Sequence, residues 1–509
     1  MRCISPLFVL FLLYCLGFQC CGVKKPEPVT PPNIILFLID DMGLMDTSVP
    51  FLTDANGNPK HYPLNDYYIT PHMEQLANQG IRFTNFYAHS VCSPSRTSIL
   101  TGQNSARHRV TNWIHPESNN RTEFGPTEWN WKGLTQSSVT LPKLLKQKGY
   151  KTIHVGKAHF GPMGSEAEDP LNIGFDINIG GSSIGQPGSY LGTDAFGHAG
   201  GDKPRAVPGL EKYHGRDIFL TEALTSEANQ AITEAKKEGK PFFLNMSHYA
   251  VHAPFYSDKR FADHYKNSGK SELAQAYATL IEGMDKSLGD IMQHVKDLGI
   301  GEHTLLIFLG DNGSDAPLPI DDNYSSSSPL KGKKGNHWEG GMRVPFIAAW
   351  VTPNAKNRNQ QLLPIAQAAI QDQMGSILDI FPTLNQLVDL NPPKDHIIDG
   401  VDLHDQLSGK KNPKRDEHFL NHFPHAHNSS YFTSLVDGDW KIVYHYQPED
   451  EPWYDLFNLK NDPFESKNLA DSHVEQLRRM MSLLKKEIKN KNALYPEKNH
   501  QPLKLEMPK

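Results

Sequence analysis

The sequence predicts an α/β fold: a large mixed, mainly parallel sheet between helices, with a smaller α+β part at the C-terminal end. Three observations carry this. Continuous apolar runs such as Ile34–Ile39 and Thr304–Leu309 have the length and branched content of strands buried on both faces. Capped helical stretches alternate with these runs. Four of the runs end in polar, ligand-type side chains, and the carboxyl ends of strands form the binding crevice of an open parallel sheet.

Length and composition set the bounds. The 509 residues suffice for two or more domains, and a net charge of −6 gives no basic footprint for nucleic acid. An anionic substrate must then be held by local positive charge. Four of the five cysteines, Cys3, Cys15, Cys20 and Cys21, fall in the first twenty-one residues. Met1-Arg2 and the apolar run Ile4–Phe18 read as a secretory signal over 1–21, too short and too early for the membrane span of a mature protein. A lipid anchor on Cys20 or Cys21 is an alternative, against which Gly17-Phe18-Gln19 departs from the usual lipobox. The proline-rich stretch ending at Pro32 reads as an extended linker, 22–32. The expectation is export: periplasmic, cell-surface or secreted. Once the signal is removed Cys92 is the one thiol certain to remain, so no intramolecular disulfide is expected.

The elements follow in order. Ile34–Ile39 ends in Asp40-Asp41-Met42-Gly43, and two adjacent carboxylates repel unless a cation or donors compensate. Thr70–Gly80 has a cap, a proline at the first helical position and a glycine stop. Ile81–Tyr87 alternates as one strand and delivers the chain to Cys92. There Pro94 suits a first helical turn and Gly102 a left-handed stop. Cys92 therefore lies where free backbone N–H groups favour an anion, with Arg96 one turn further in. Thr140–Gly149 is a capped helix before the strand Lys151–Val155, which ends in Gly156-Lys157-Ala158-His159. Lys240–Met246 leads to His248 and His252, of which His248 reads as a loop histidine bonded to backbone. Tyr277, Ile281, Met284, Leu288 and Ile291 form a helical core stripe that stops at Gly299. Thr304–Leu309 ends in Gly310-Asp311-Asn312, and a basic loop carries Lys331 and Lys334. Met374–Leu390 reads as the last helix of a main domain, 33–409, and Lys410–Arg415 as a linker into a C-terminal part, 410–509. In that part Trp440–Tyr446 alternates as a strand and Val474–Asn490 is an amphipathic helix. The stretch Glu417–His427 holds four histidines and two phenylalanines, and reads either as a sugar-binding surface, with His425 and His427, or as packing between domains.

The motifs Cys92-x-Pro94-Ser95-Arg96 with Thr101-Gly102, Gly156-Lys157-x-His159, His252-x-Pro254-Phe255 and Lys334-Gly-x-x-x-Glu339-Gly-Gly together resemble the formylglycine-dependent sulfatases of cysteine type, bacterial polysaccharide sulfatases among them. Tyr454–Leu459 with Asp462-Pro463 resembles that family's C-terminal turn, so the likeness spans nearly the whole chain. It implies an alkaline-phosphatase-like fold and a maturation enzyme that converts Cys92 to formylglycine (3-oxoalanine), whose hydrate is the nucleophile. Three aspartates and an asparagine are hard oxygen ligands, suited to Ca²⁺ or Mg²⁺ and not to zinc. The resemblance implies one Ca²⁺ held by Asp40, Asp41, Asp311 and Asn312 beside the modified Cys92. It further implies that Arg96, Lys157 and Lys334 stabilise charge, that His252 protonates the leaving alcohol and that His159 acts as base. The implied substrate is a sulfated polysaccharide or oligosaccharide, ulvan or carrageenan for example. The alternatives are a phosphomonoester or phosphonate hydrolase on the same fold, and a non-catalytic glycan-binding protein if Cys92 stays unmodified.

Overall fold

Asn33–Ile39 (β1) is buried along its whole length, and its residues alternate between two cores. Ile35, Phe37 and Ile39 face one, while Ile34, Leu36 and Leu38 face the other. That two-sided burial is why the run is continuously apolar. The computed structural model describes residues 30–319, 326–446 and 453–508. The expected signal, the lipid anchor and residues 22–29 of the 22–32 linker lie outside these residues, and among those described no helix is long and apolar enough to cross a membrane.

β1 sits centrally in an eight-stranded sheet. The other strands are β2 (Ile81–Phe83), β4 (Lys151–Gly156), β5 (Ile177–Ile179), β6 (Phe242–His248), β7 (Thr304–Gly310), β8 (Phe346–Trp350) and β9 (Ala369–Gln371), in the order β5-β4-β6-β1-β7-β8-β2-β9. The first five run parallel, and β8 is antiparallel to both its neighbours. The four strands that end in chemistry, β4, β6, β1 and β7, are thus adjacent and parallel, with Ile39 level with His248 and Gly310. The helices Leu220–Lys237 and Glu272–Asp297 pack on one face, and Cys92–Thr101, Leu141–Gln147 and Ile380–Val388 on the other. The expected stripe from Tyr277 to Ile291 is buried in the first core, and Gly299 stops its chain at φ +70°.

A second, antiparallel sheet joins β11 (His418–Ala426), β12 (Ser430–Asp437), β13 (Trp440–His445) and β14 (Tyr454–Asn458) in sequence order. Leu477, Met480, Met481, Leu484 and Ile488 of the helix Val474–Asn490 cover it, as their amphipathic spacing requires.

Three expectations need correction. Ile81–Tyr87 is two strands: β2 lies in the large sheet, while β3 (Phe86–Tyr87) pairs with β10 (Gly375–Ser376). Its polar alternation misled because Arg82 is buried, donating through Nε to the carbonyl of Pro50 at 3.2 Å. Met374–Leu390 is helical only over Ile380–Val388. Gly375 lies flat against Phe86, where a Cβ would approach the ring to 2.6 Å, and Ser376 and Asp379 form a capping box ahead of the helix. Tyr454–Asn458 is a strand where a turn is expected.

Asp285, buried on the long helix, accepts the backbone N–H groups of His72 (3.0 Å) and Met73 (2.7 Å). Burial outweighs these two bonds and raises its carboxyl from the ordinary 3.8 to about 7. The folded state therefore holds this proton more tightly than the unfolded chain. The contribution is fully present below pH 4 and is lost as pH rises towards 7. Asp285→Asn is expected to flatten the decline in Tm over that window relative to the wild type, measured by thermal melts at fixed ionic strength.

Candidate active site

Four parallel strand ends deliver the site. Asp40 and Asp41 follow β1, Lys157 and His159 follow β4, His252 follows β6, and Asp311 and Asn312 follow β7. The helix Cys92–Thr101 points its first residue at them, and all ten of its residues are buried. Pro94 falls in its first turn and Gly102 ends it at φ +68°, as expected.

The charges interlock. Lys157 Nζ donates to both oxygens of Asp40 at 2.8 Å, and Lys334 Nζ to Asp41 Oδ2 at 2.7 Å. Arg96 Nε donates to Asp311 Oδ2 at 2.8 Å. The repulsion expected between Asp40 and Asp41 is therefore met by donors. Burial raises the carboxyl of Asp40, and lifts that of Asp311 to about 6 against the pull of Arg96. At Asp41 burial is outweighed by the Lys334 ammonium, with His252 and Lys157, and the carboxyl lies below its usual range. Asp41 and His159 both hold φ +57°, a left-handed backbone that non-glycine residues adopt at a cost.

Oxygens of Asp40, Asp41 and Asp311 lie within 4.8 Å of one another. Asn312 donates through Nδ2 to Asp41 Oδ1 at 2.9 Å, while its own Oδ1 is buried with no hydrogen-bond partner. An orphaned carbonyl oxygen beside three clustered carboxylates is a donor set that fits a hard cation.

Cys92 is a buried free thiol whose Sγ lies 3.4 Å from His159 Nδ1. Burial pushes this thiol up, so it is protonated at neutral pH and unsuited to act as a thiolate. His159 Nε2 lies 2.5 Å from the carbonyl of Ile114. A carbonyl only accepts, so Nε2 carries the proton and Nδ1 presents a lone pair to residue 92. Burial, then Lys157, drives the His159 pKa well below 6.5. His252 donates through Nδ1 to its neighbour's carbonyl, that of Ala253, at 2.8 Å and sets Nε2 3.5 Å from Asp41 Oδ2. Burial, then Lys334, lowers its pKa to about 4.

Cys92, His159, His252 and Lys334 line a cavity of about 360 Å³. Arg96 is set within the charge cluster, with Nη2 buried and without a hydrogen-bond partner. Its fork turns on Asp311, the carbonyl of Lys157 (2.9 Å) and Ser247 Oγ (2.6 Å), and it is not among the cavity's lining residues. His248 is likewise no loop histidine: it ends β6 and pairs with the Ser287 hydroxyl at 2.9 Å. Lys331 lies over the Trp338 ring, away from the cavity lining. The histidine-rich stretch divides. His425 is buried, paired with Thr111 and packed on Trp129, whereas His427 lines the cavity.

Trp113, His115, Gln186, Asp202, Arg205 and Asp315 also line the cavity, and sequence reading missed them. Three of these come from the stretch between Phe160 and Leu220, which holds only a three-residue strand and short 3₁₀ turns. So long an irregular connection in a compact fold is itself a functional signal. A larger cavity of about 600 Å³, lined by Arg343, Tyr87 and Phe464 among others, contains none of the expected catalytic or metal-ligating residues.

Comparisons with known proteins give the family and support the fold. The sulfatase family model matches residues 32–390, and that of the N-sulphoglucosamine sulphohydrolase C-terminal region matches 334–493. The chain is 31% identical to the N-acetylgalactosamine-6-sulfatase of Mus musculus over 419 residues, covering 79% of this chain and 70% of the relative. It is 27% identical to an N-acetylgalactosamine-6-O-sulfatase of Bacteroides thetaiotaomicron over 530 residues, covering 89% and 92%. The crystal structure of Ps i-CgsB superposes with a TM-score of 0.71 at 23% identity, covering 93% of this chain and 95% of that one. With a match across well over half its length and a fold to go with it, the chain belongs to the sulfatase family and is a hydrolase of sulfate esters.

Proposed function

We propose that this sulfatase removes sulfate from a sulfated glycan, using formylglycine made from Cys92 by a maturation enzyme and one Ca²⁺ held by Asp40, Asp41, Asp311 and Asn312 beside residue 92. The observation that carries the reading is a buried Cys92 at a helix start, its Sγ 3.4 Å from His159 Nδ1 and beside three clustered carboxylates. In place, the formylglycine hydrate supplies an oxygen nucleophile and the Ca²⁺ polarises sulfate oxygens.

The chain's own side chains do the rest. Lys334 borders the cavity with its charge retained, and places a cation against the sulfate group. Lys157 and Arg96 act from below, by fixing Asp40 and Asp311. His159 accepts a proton at Nδ1, because its Nε2 is committed to Ile114. His252 is neutral at neutral pH with Lys334 beside it. The negative charge of a bound sulfate ester raises its pKa, and Nε2 then delivers a proton to the departing alcohol. A glycan is the favoured substrate class because relatives at 27–31% identity carry sugar-sulfatase names, and because Trp113, His115 and His427 give the cavity ring faces and polar tips. Export by the N-terminal segment fits such a substrate.

The test compares matched sulfate and phosphate esters and a panel of sulfated oligosaccharides, with anion release as readout. Preference for the sulfate ester by at least about 100-fold, some 3 kcal/mol, is expected, and equal rates would favour the phosphate-ester alternative. His427→Ala is expected to lower kcat/KM on the oligosaccharide by about tenfold and to spare a small aryl sulfate. Equal loss on both substrates would assign His427 to the sulfate subsite instead.

A further inference from the structure

A second cluster of ligand-type side chains lies away from the cavity lining. His337 follows Lys334 by three residues, in the loop that ends at Glu339. His445 ends β13 and Asp455 lies in β14. All three are buried, and one ligand atom from each falls within 4.8 Å of the others. Asp455 Oδ2 accepts from His445 Nε2 at 2.8 Å. His337 Nε2 lies 4.0 Å from that same oxygen, outside hydrogen-bond reach, and is buried with no partner. Leaving such a nitrogen unmatched costs about 1–3 kcal/mol.

The outer atoms of His337 and Asp455 are held in place. His337 Nδ1 meets Ser429 Oγ at 2.9 Å, and Asn468 Nδ2 donates to Asp455 Oδ1 at 2.7 Å. Fixing the far side of a ligand is what the outer contacts of a metal site do. Trp338 and Phe432 pack against the His337 ring and fix its orientation. The nearby Lys441 has its charge offset by Glu339 and Glu465.

We propose that His337, His445 and Asp455 form a second metal site, for a divalent ion of the zinc class, which ties the C-terminal sheet to the loop carrying Lys334. Two imidazoles and one carboxylate suit zinc, with a water in the fourth position. The all-oxygen group of Asp40, Asp41, Asp311 and Asn312 prefers a hard cation, so the two sites differ in selectivity. Binding displaces the proton shared by His445 and Asp455 into solvent and gives His337 Nε2 its missing partner.

The experiment uses the full chain with Ca²⁺ in excess to fill the oxygen site. The protein is equilibrated with zinc, freed of loose metal and measured by elemental analysis. One zinc per chain is expected, together with a zinc-dependent rise in Tm. His337→Gln and Asp455→Asn are expected to lose at least nine-tenths of that zinc and the rise in Tm, while retaining Ca²⁺. Full zinc retention in these variants, or none in the wild type, overturns the proposal. A cobalt titration of the wild type keeps the test decisive if the variants fail to fold. Tetrahedral absorption with hyperfine-shifted imidazole N–H signals supports the site, and their absence overturns it.

Discussion

Cys92→Ala is expected to fold, to melt within a few degrees of the wild type and to release sulfate at least about 10⁵-fold more slowly, the scale on which removing a nucleophile acts. The fold survives because Cys92 contributes little to its surroundings: its Sγ makes one polar contact, 3.4 Å from His159 Nδ1. Truncating so small a buried side chain costs about 1 kcal/mol. The ion pairs of the site connect Lys157, Lys334 and Arg96 to Asp40, Asp41 and Asp311 and do not pass through residue 92. Activity is lost because, among the described residues, no other side chain lining the cavity offers a hydroxyl or thiol in its place. Cys92→Ser is expected to be inactive too where the maturation enzyme accepts only cysteine. Steady-state sulfate release and a thermal melt on the same preparation check both halves. Residual turnover within tenfold of the wild type would place the nucleophile elsewhere.

Asp311→Ala is expected to destabilise the protein by about 3–5 kcal/mol as well as to remove activity, a larger loss than a ligand side chain alone suggests. Arg96 is the reason. Its Nε donates to Asp311 Oδ2 at 2.8 Å, both side chains are buried, and Nη1 is already committed to the Lys157 carbonyl and Ser247. Removing the carboxylate leaves a buried guanidinium short of its counter-charge. Asp311→Asn restores an acceptor for Arg96 and is expected to recover much of the stability and none of the turnover. Denaturant melts with and without Ca²⁺ measure the difference. A wild-type Ca²⁺ stabilisation that persists undiminished in Asp311→Ala would exclude Asp311 as a ligand.

The centre of the parallel sheet was legible because β1 and β7 are buried along their whole length, so their apolar runs have little polar interruption to blur them. Asp40, Asp41, Asp311 and Asn312 were legible because they sit at strand ends, where topology brings distant segments together. Local pattern failed where burial and polarity part company. Arg82 is polar yet buried, and broke the reading of Ile81–Tyr87. Gly375 opened a strand pair where a helix was expected, because what decides it is contact with Phe86, far away in sequence. The direction of the Arg96 fork could not be read either, since its partners Asp311, just after β7, and Ser247, in β6, are distant in sequence. The cavity wall from Trp113 to Arg205 was invisible for a related reason: irregular segments carry no period.

The state of residue 92 tests the account most directly. Intact-mass and peptide-mass measurements on protein produced with its maturation enzyme should find the peptide containing Cys92 lighter by about 18 Da than the thiol form, the exchange of H₂S for O at the aldehyde level, in contrast to the mass gains of sulfur oxidation. That peptide should resist thiol alkylation and react with hydrazides, and the converted fraction should track the rate of sulfate release across preparations. Rapid, multiple-turnover sulfate release by protein whose Cys92 is shown to be a free thiol would contradict it.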